Sequence, residues 1–231
     1  MYSLNICYFD NHMEFPRKFY KDSELPFLWH YMMAIGSQNL PPKLLQPETL
    51  FETKGEKLIL EIGCGKGAFL CQYALSYPQN CILGAEWDVY CSNFAAKKIA
   101  KFGLKNAAVM RGDLFYFLRD LMPDASLDEV FMFFPDPWPK RRHHKNRLAL
   151  REGFLEQIYR VLKPGKRLFY WATDHEEYNS LALEAFRSFP AAKILQENNA
   201  EPTHGIETGF EKKYKKEGRK IYRSVIEFSK P

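Results

Sequence analysis

A chain of 231 residues, 46% hydrophobic and 26% charged, is an ordinary globular composition long enough for one well-buried domain and an appendage. Asp10 and Glu14 stand in the first fifteen residues without a basic leader, and no apolar run reaches the roughly 18 residues of a membrane span, which predicts a cytoplasmic protein without a membrane partner. Five cysteines without a CxxC pair argue against a disulfide framework and a zinc site, and the net charge of +5 is segregated: Lys140 to Arg151 and Lys212 to Arg223 together carry +12, leaving −7 for the rest, the footprint of a polyanion binder.

The first fifty residues hold Pro16, Pro26, Pro41, Pro42 and Pro47 and many aromatics without clean periodicity. They predict an irregular arm or lid over 1–50, ahead of a regular domain over 51–231. From Lys57 a repeating pattern begins: LILEIG is a short apolar run ending in glycine, and a helical stretch from Ala68 to Tyr77 closes at Pro78. CILGAE repeats the strand signal, and Tyr90 to Phe102 reads as a helix closed by Gly103. AAVM, Leu114 to Leu121, EVFMFF, Phe154 to Leu162 with the stop KPG, RLFYWAT, and Glu176 to Phe189 with Pro190 continue the alternation. Five strands alternating with helices predict a parallel sheet covered on both faces. After Pro190 come KILQE and IYRSVIEF, with no helix between them long enough for a crossover, so an antiparallel pair at the sheet edge is expected. The fold class is therefore α/β, doubly wound and mostly parallel, with an antiparallel edge strand pair.

Ligands of such sheets bind at the carboxyl ends of the strands. EIGCGKGAF places Gly63, Gly65 and Gly67 between a strand and a helix, where missing side chains let the backbone approach a ligand. It also fits a GxGxxA form through Ala68, so the loop alone says only that an adenosine-type cofactor binds. Glu86 ends the next strand, where a carboxylate accepts from a ribose diol, and Asp113 follows the third strand, where an adenine amino group needs an acceptor. A pyrophosphate disfavours nearby negative charge, whereas a sulfonium with an ammonium group prefers it. Glu61, Glu86, Asp113 and Asp136 share one edge, which favours S-adenosylmethionine over a nicotinamide dinucleotide.

The stretch FPDPWPKRRHHKNR sets Asp136 between two prolines and a tryptophan, directly before a basic run. With EIGCGKG, GAEWD, GDLF, ATDHEEY and TGFEKK followed by GRKIYR, it makes the chain resemble the bacterial tRNA (guanine-N7-)-methyltransferase family, within the class I S-adenosylmethionine-dependent methyltransferases of Rossmann-like fold. The resemblance runs from about Leu58 to Phe228 and leaves 1–50 unmatched. It implies that Glu61, Glu86, Asp113 and Asp136 line the cofactor site above Gly63, Gly65 and Gly67, and that Asp136 is the catalytic residue. It implies that Lys140, Asp174 and Thr208, Gly209, Phe210 and Glu211 touch the substrate nucleotide, and that Arg142, His143, His144, Lys145, Asn146 and Arg147 contact the RNA. The implied product is 7-methylguanosine at a variable-loop position of tRNA. Gly209 departs from the basic residue usual in the family's TxFE motif; Lys212 or Lys213 could restore that contact.

Guanine N7 carries an in-plane lone pair and no proton, so attack on a sulfonium methyl needs alignment more than a base. Asp136 could accept from the guanine N1 and N2 hydrogens and stabilise charge building on the ring, while Trp138 shapes the pocket or stacks on a base. The rival readings are a methyltransferase of the same fold acting on an exocyclic amine of RNA or protein, an RNA-binding partner subunit without catalysis, and a nicotinamide oxidoreductase. No metal site is expected, and the sequence does not set the oligomeric state.

Overall fold

The computed structural model describes residues 18–22, 28–32, 46–165 and 167–229. Its strands are β1 (Lys18–Lys21), β2 (Leu28–Met32), β3 (Leu58–Ile62), β4 (Cys81–Glu86), β5 (Ala107–Arg111), β6 (Glu129–Phe133), β7 (Arg167–Thr173), β8 (Ala192–Gln196) and β9 (Tyr222–Phe228). The helices are α1 (Ala68–Ser76), α2 (Val89–Lys101), α3 (Leu114–Asp120), α4 (Phe154–Val161), α5 (Glu176–Ser188) and α6 (Gly209–Lys216).

The strands form one sheet in the order β1-β2-β5-β4-β3-β6-β7-β9-β8. From β2 to β7 all neighbours are parallel. β9 runs antiparallel between β7 and β8, the expected edge pair. The central strands are near-continuous apolar runs because helices cover both faces. On one face α3, α4 and α5 pack through Phe117, Phe154, Ile158 and Phe186; on the other α1 and α2 pack through Phe69, Tyr73, Ala95 and Ile99. β3 has β4 on one side and β6 on the other, so chain direction across the sheet reverses there and opens a crevice at the carboxyl ends.

One expectation needs correcting. Part of the first fifty residues is strand rather than irregular chain: β1 pairs antiparallel with β2, and β2 adds to β5 in parallel. Leu28 is fully buried in the α1/α2 core, a tertiary contact that a five-residue segment among prolines does not advertise. Between β8 and β9 lies α6, eight residues long and so too short for a crossover, as expected, and the two strands pair antiparallel. Its sequence GFEKKYKK lacks an apolar stripe, and its one buried residue is an acid, Glu211.

Two glycines set how closely the layers meet. Gly67 opens α1 at φ 66, and a Cβ there would stand 2.9 Å from the Ala95 Cβ on α2. At Gly84 a Cβ would stand 2.4 Å from a Leu70 methyl and 2.7 Å from the Cys64 Sγ. The glycine loop therefore lies directly on β4 and α2.

Candidate functional site

The loop after β3 is held by Gly63 and Cys64 N–H groups donating to the Ala85 carbonyl at 2.8 and 3.2 Å. Gly63 and Gly65 have φ of 70 and 52, and a Cβ on either would meet no atom within 4 Å, which leaves a bare concavity above the backbone. Glu86 closes one side of it. One of its oxygens accepts from Gly65 N–H and the other from Asp88 N–H, both at 2.9 Å. Each oxygen keeps a second lone pair for a ligand hydroxyl. Burial pushes the Glu86 carboxyl upward, opposed by those backbone donors.

Glu61 forms the floor. Its side chain is buried and its Oε2 has no hydrogen-bond partner among the described residues. Burial, with the Glu86 charge second, pushes this carboxyl well above the usual range. A buried acceptor without a donor is costly, so the site is built for a ligand that brings a cation or a donor. Asp113 caps α3, its Oδ1 accepting from Phe115 and Tyr116 N–H, while Oδ2 faces Arg151 at 3.5 Å. Its half-exposed side chain is therefore shared between helix capping and the ligand edge.

The Asp136 loop leaves β6 under constraint. Phe134 and Trp138 have φ of 52 and 43, left-handed values that cost a non-glycine residue about 1–3 kcal/mol each. Asp136 lies exposed between them, and Lys140 is exposed beyond. What holds the loop is Arg147, whose side chain is 0% exposed. Its Nε donates to the Pro137 carbonyl at 2.6 Å, its Nη1 and Nη2 to the Glu177 carboxylate at 3.4 and 3.3 Å, and the guanidinium lies 5.0 Å from the Tyr178 ring centre. Arg147, expected at the RNA, is corrected to an internal clamp, since a buried guanidinium with these partners cannot reach a phosphate. Of the remaining basic stretch, Arg142 and Asn146 are exposed, and the Lys145 side chain lies outside the described residues. His143 accepts from Arg142 and stands edge-on to Trp138, with ring centres 5.7 Å apart. His144 is half-buried.

The TGFE motif splits the same way. Thr208 and Glu211 form a capping box at the start of α6, and the second Glu211 oxygen accepts from Arg223 Nε at 2.6 Å. Both are buried and turned to the helix terminus and Arg223, which corrects their assignment as substrate contacts: only 6% of Thr208 and 2% of Glu211 is exposed. Gly209 and Phe210 are exposed. Phe210 joins Phe134 and Tyr214 in an aromatic wall with ring centres 5.5–6.0 Å apart, beside the Asp136 loop. Asp174, at the end of β7, pairs with Arg219 at 2.8 Å, so its free capacity is reduced. Glu177, Tyr178, Arg219 and Arg223 are structural partners that the motif reading missed. The one available signal is that Arg147 abuts the apolar run LAL, where a charged side chain is apt to turn inward.

The donor set fits S-adenosylmethionine. Glu61, with an unpartnered buried oxygen, would suit its ammonium, Glu86, with a free lone pair on each oxygen, its ribose diol, and Asp113 its adenine end, with Gly63 and Gly65 as a bare cradle between them.

A family model described as "Putative methyltransferase" matches residues 55–224. The tRNA (guanine-N(7)-)-methyltransferase of Thermotoga maritima is 33% identical over 190 residues, covering 81% of this chain and 59% of that protein. Those of Leptospira interrogans and Caulobacter vibrioides are 31% and 38% identical over 205 and 184 residues, covering 87% and 78% of this chain and 90% and 77% of theirs. The chain thus spans well under two thirds of the Thermotoga relative and most of the other two. Among solved structures, the 16S rRNA methyltransferase KamB aligns with TM-score 0.58 at 16% identity, covering 81% of this chain and 95% of that one. A SAM-dependent methyltransferase from Aquifex aeolicus aligns with TM-score 0.53 at 18% identity, over 80% and 91%. At these identities the structures speak for the fold, and the sequence relatives for the lineage: the chain belongs to the tRNA (guanine-N(7)-)-methyltransferase family.

Proposed function

We propose that this protein transfers a methyl group from S-adenosylmethionine to N7 of a guanosine in tRNA, at a variable-loop position. The observation that carries the reading is the meeting, at one sheet edge, of a cation-seeking cradle with an exposed carboxylate on a clamped loop. S-adenosylmethionine supplies an electrophilic methyl on a sulfonium. Asp136 accepts from the guanine N1 and N2 hydrogens, which fixes the ring in plane and favours the positive charge that grows when N7 forms its new bond. Because N7 bears no proton, Asp136 removes none. The Phe134, Phe210 and Tyr214 wall offers the base a stacking surface. Lys140, Arg142, His143, His144, Lys145 and Asn146 and the lysines of α6 flank the mouth and attract the RNA backbone. N7 is recessed in the deep groove of A-form RNA, so the acceptor is an unpaired or tertiary-structured guanosine. Residues 51–231 form the methyltransferase domain, and the arm over 1–50 contributes β1 and β2 to its sheet. No helix among the described residues is long and apolar enough to cross a membrane, in keeping with a cytoplasmic tRNA-modifying enzyme.

The test is labelled-methyl transfer from S-adenosylmethionine to unmodified tRNA transcripts, with the product digested to nucleosides. The expected product is 7-methylguanosine from one variable-loop site, abolished in Asp136→Ala with tRNA affinity nearly unchanged. Methylation of an exocyclic amine, or full turnover by Asp136→Ala, would overturn the reading.

A further inference from the structure

The helices on the two faces of the sheet differ in charge. On the α1/α2 face, α1 has no charged residue and α2 has Lys97, Lys98 and Lys101 with no acid. α6 starts beside α1, where a Cβ on Gly209 would stand 3.8 Å from the Ala68 Cβ; it carries Lys212, Lys213, Lys215 and Lys216 against Glu211, which is buried on Arg223. On the opposite face, α5 alone carries Glu176, Glu177 and Glu184 against Arg187. The α2 lysines lie outside both basic stretches that stand out in the sequence.

The same side of α2 also exposes aromatic rings. Trp87, Tyr90 and Phe94 are 68%, 64% and 42% exposed. Lys66 of the glycine loop lies over the Tyr90 and Phe94 rings, 4.9 and 5.6 Å from their centres, and Lys98 lies 5.5 Å from the Phe94 centre. Tyr90, Phe94, Lys97 or Lys98, and Lys101 follow at helical spacing along one stripe of about 16 Å. The stripe starts at the rim of the cofactor cradle and runs away from it. Rings on which bases stack, interleaved with ammonium groups for phosphates, are the chemistry of single-stranded nucleic-acid binding.

We propose that the outer face of α2 is a second RNA-contact surface, which holds an unpaired stretch of the tRNA substrate with bases on Tyr90 and Phe94 and phosphates on Lys97 and Lys101. The proposal rests on the tRNA reading above. It extends the footprint from the catalytic mouth over the α1/α2/α6 side of the sheet and leaves the acidic α5 side free of RNA.

The experiment compares the full-length protein with a Lys97→Glu/Lys101→Glu variant and with Tyr90→Ser, measuring affinity for a tRNA transcript by fluorescence anisotropy across a salt series. These side chains point to solvent, and unchanged S-adenosylmethionine affinity and maximal rate at saturating tRNA check that fold and site are intact. The expected result is at least tenfold weaker tRNA binding by the double variant, with the slope of log K against log salt reduced by about 1.4, the contribution of two single-strand phosphates. Tyr90→Ser is expected to weaken binding several-fold with the slope unchanged, as loss of stacking requires. Wild-type affinity and slope in both variants would overturn the proposal and reserve this face for another partner. A wild-type protein that binds tRNA without methylating it would instead overturn the catalytic reading and leave the binding comparison interpretable. A wild-type protein that binds no tRNA would overturn both.

Discussion

Replacing Arg147 by Met separates a clamp from an RNA contact. The change keeps the buried chain but removes the guanidinium, leaving the Pro137 carbonyl without its donor at 2.6 Å. An orphaned acceptor on half-buried Pro137 costs about 1–2 kcal/mol, the lower part of the range for a fully buried one, and losing a desolvated cation from the face of Tyr178 adds about 1–2 kcal/mol. The Glu177 end is discounted, because that carboxylate is 54% exposed and water replaces the lost donor. The total is about 2–4 kcal/mol, a fall in Tm of roughly 5–15 °C for a domain of this size. Part of it is paid in loop order, because the left-handed Phe134 and Trp138 around Asp136 depend on that clamp. Arg147→Met is thus expected to lower kcat for methyl transfer by one to two orders of magnitude with little change in tRNA affinity, and Arg147→Lys to behave similarly because ammonium cannot bridge Pro137 and Glu177 together. The assays are thermal unfolding, steady-state kinetics with tRNA, and the salt dependence of binding. Wild-type Tm and kcat with a salt slope smaller by about 0.7–0.9, one phosphate contact, would show that Arg147 meets RNA after all.

Three further expectations follow from single sites. The Glu61 carboxyl is raised by burial, so the folded protein without ligand holds a proton there above the ordinary value of 4.5. A cationic ligand favours the carboxylate; S-adenosylmethionine affinity should therefore rise with pH through the raised value with uptake of the freed proton by buffer, and Glu61→Gln should lose both signals in calorimetry. The same shift makes the Glu61 contribution to stability decline as pH climbs above 4.5, because the folded state there binds more protons than the unfolded one. Gly67→Ala should destabilise by more than the roughly 1–2 kcal/mol of a left-handed non-glycine residue, because its methyl meets Ala95 at 2.9 Å; Ala95→Gly should restore part of the loss, and an unchanged melting curve would refute the close-contact account. Gly209→Lys meets ordinary contact with Ala68 and no left-handed backbone, so it should fold normally and tighten tRNA binding several-fold with a steeper salt slope. Equal affinity would place the RNA away from the start of α6.

The alternation of apolar runs and helical stretches from Lys57 onward was legible because each central strand is buried on both faces, which forces a continuous apolar signature on five or six residues. That the glycine loop and the acids Glu61, Glu86, Asp113 and Asp136 stand at the carboxyl ends of the strands was legible because in a doubly wound sheet those ends follow from chain direction alone. What the chain could not disclose was which charged residues turn inward. Arg147 and Arg142 stand in one basic stretch, yet Arg147 is enclosed because Glu177 and Tyr178, thirty residues away, converge on it. Glu211 is internal because Arg223 comes from a neighbouring strand. β2 joins the sheet because β5 offers an edge and Leu28 a core to fill. Local periodicity records the average environment of a segment. The fate of a single charge is decided by partners that only the folded chain brings within hydrogen-bond reach.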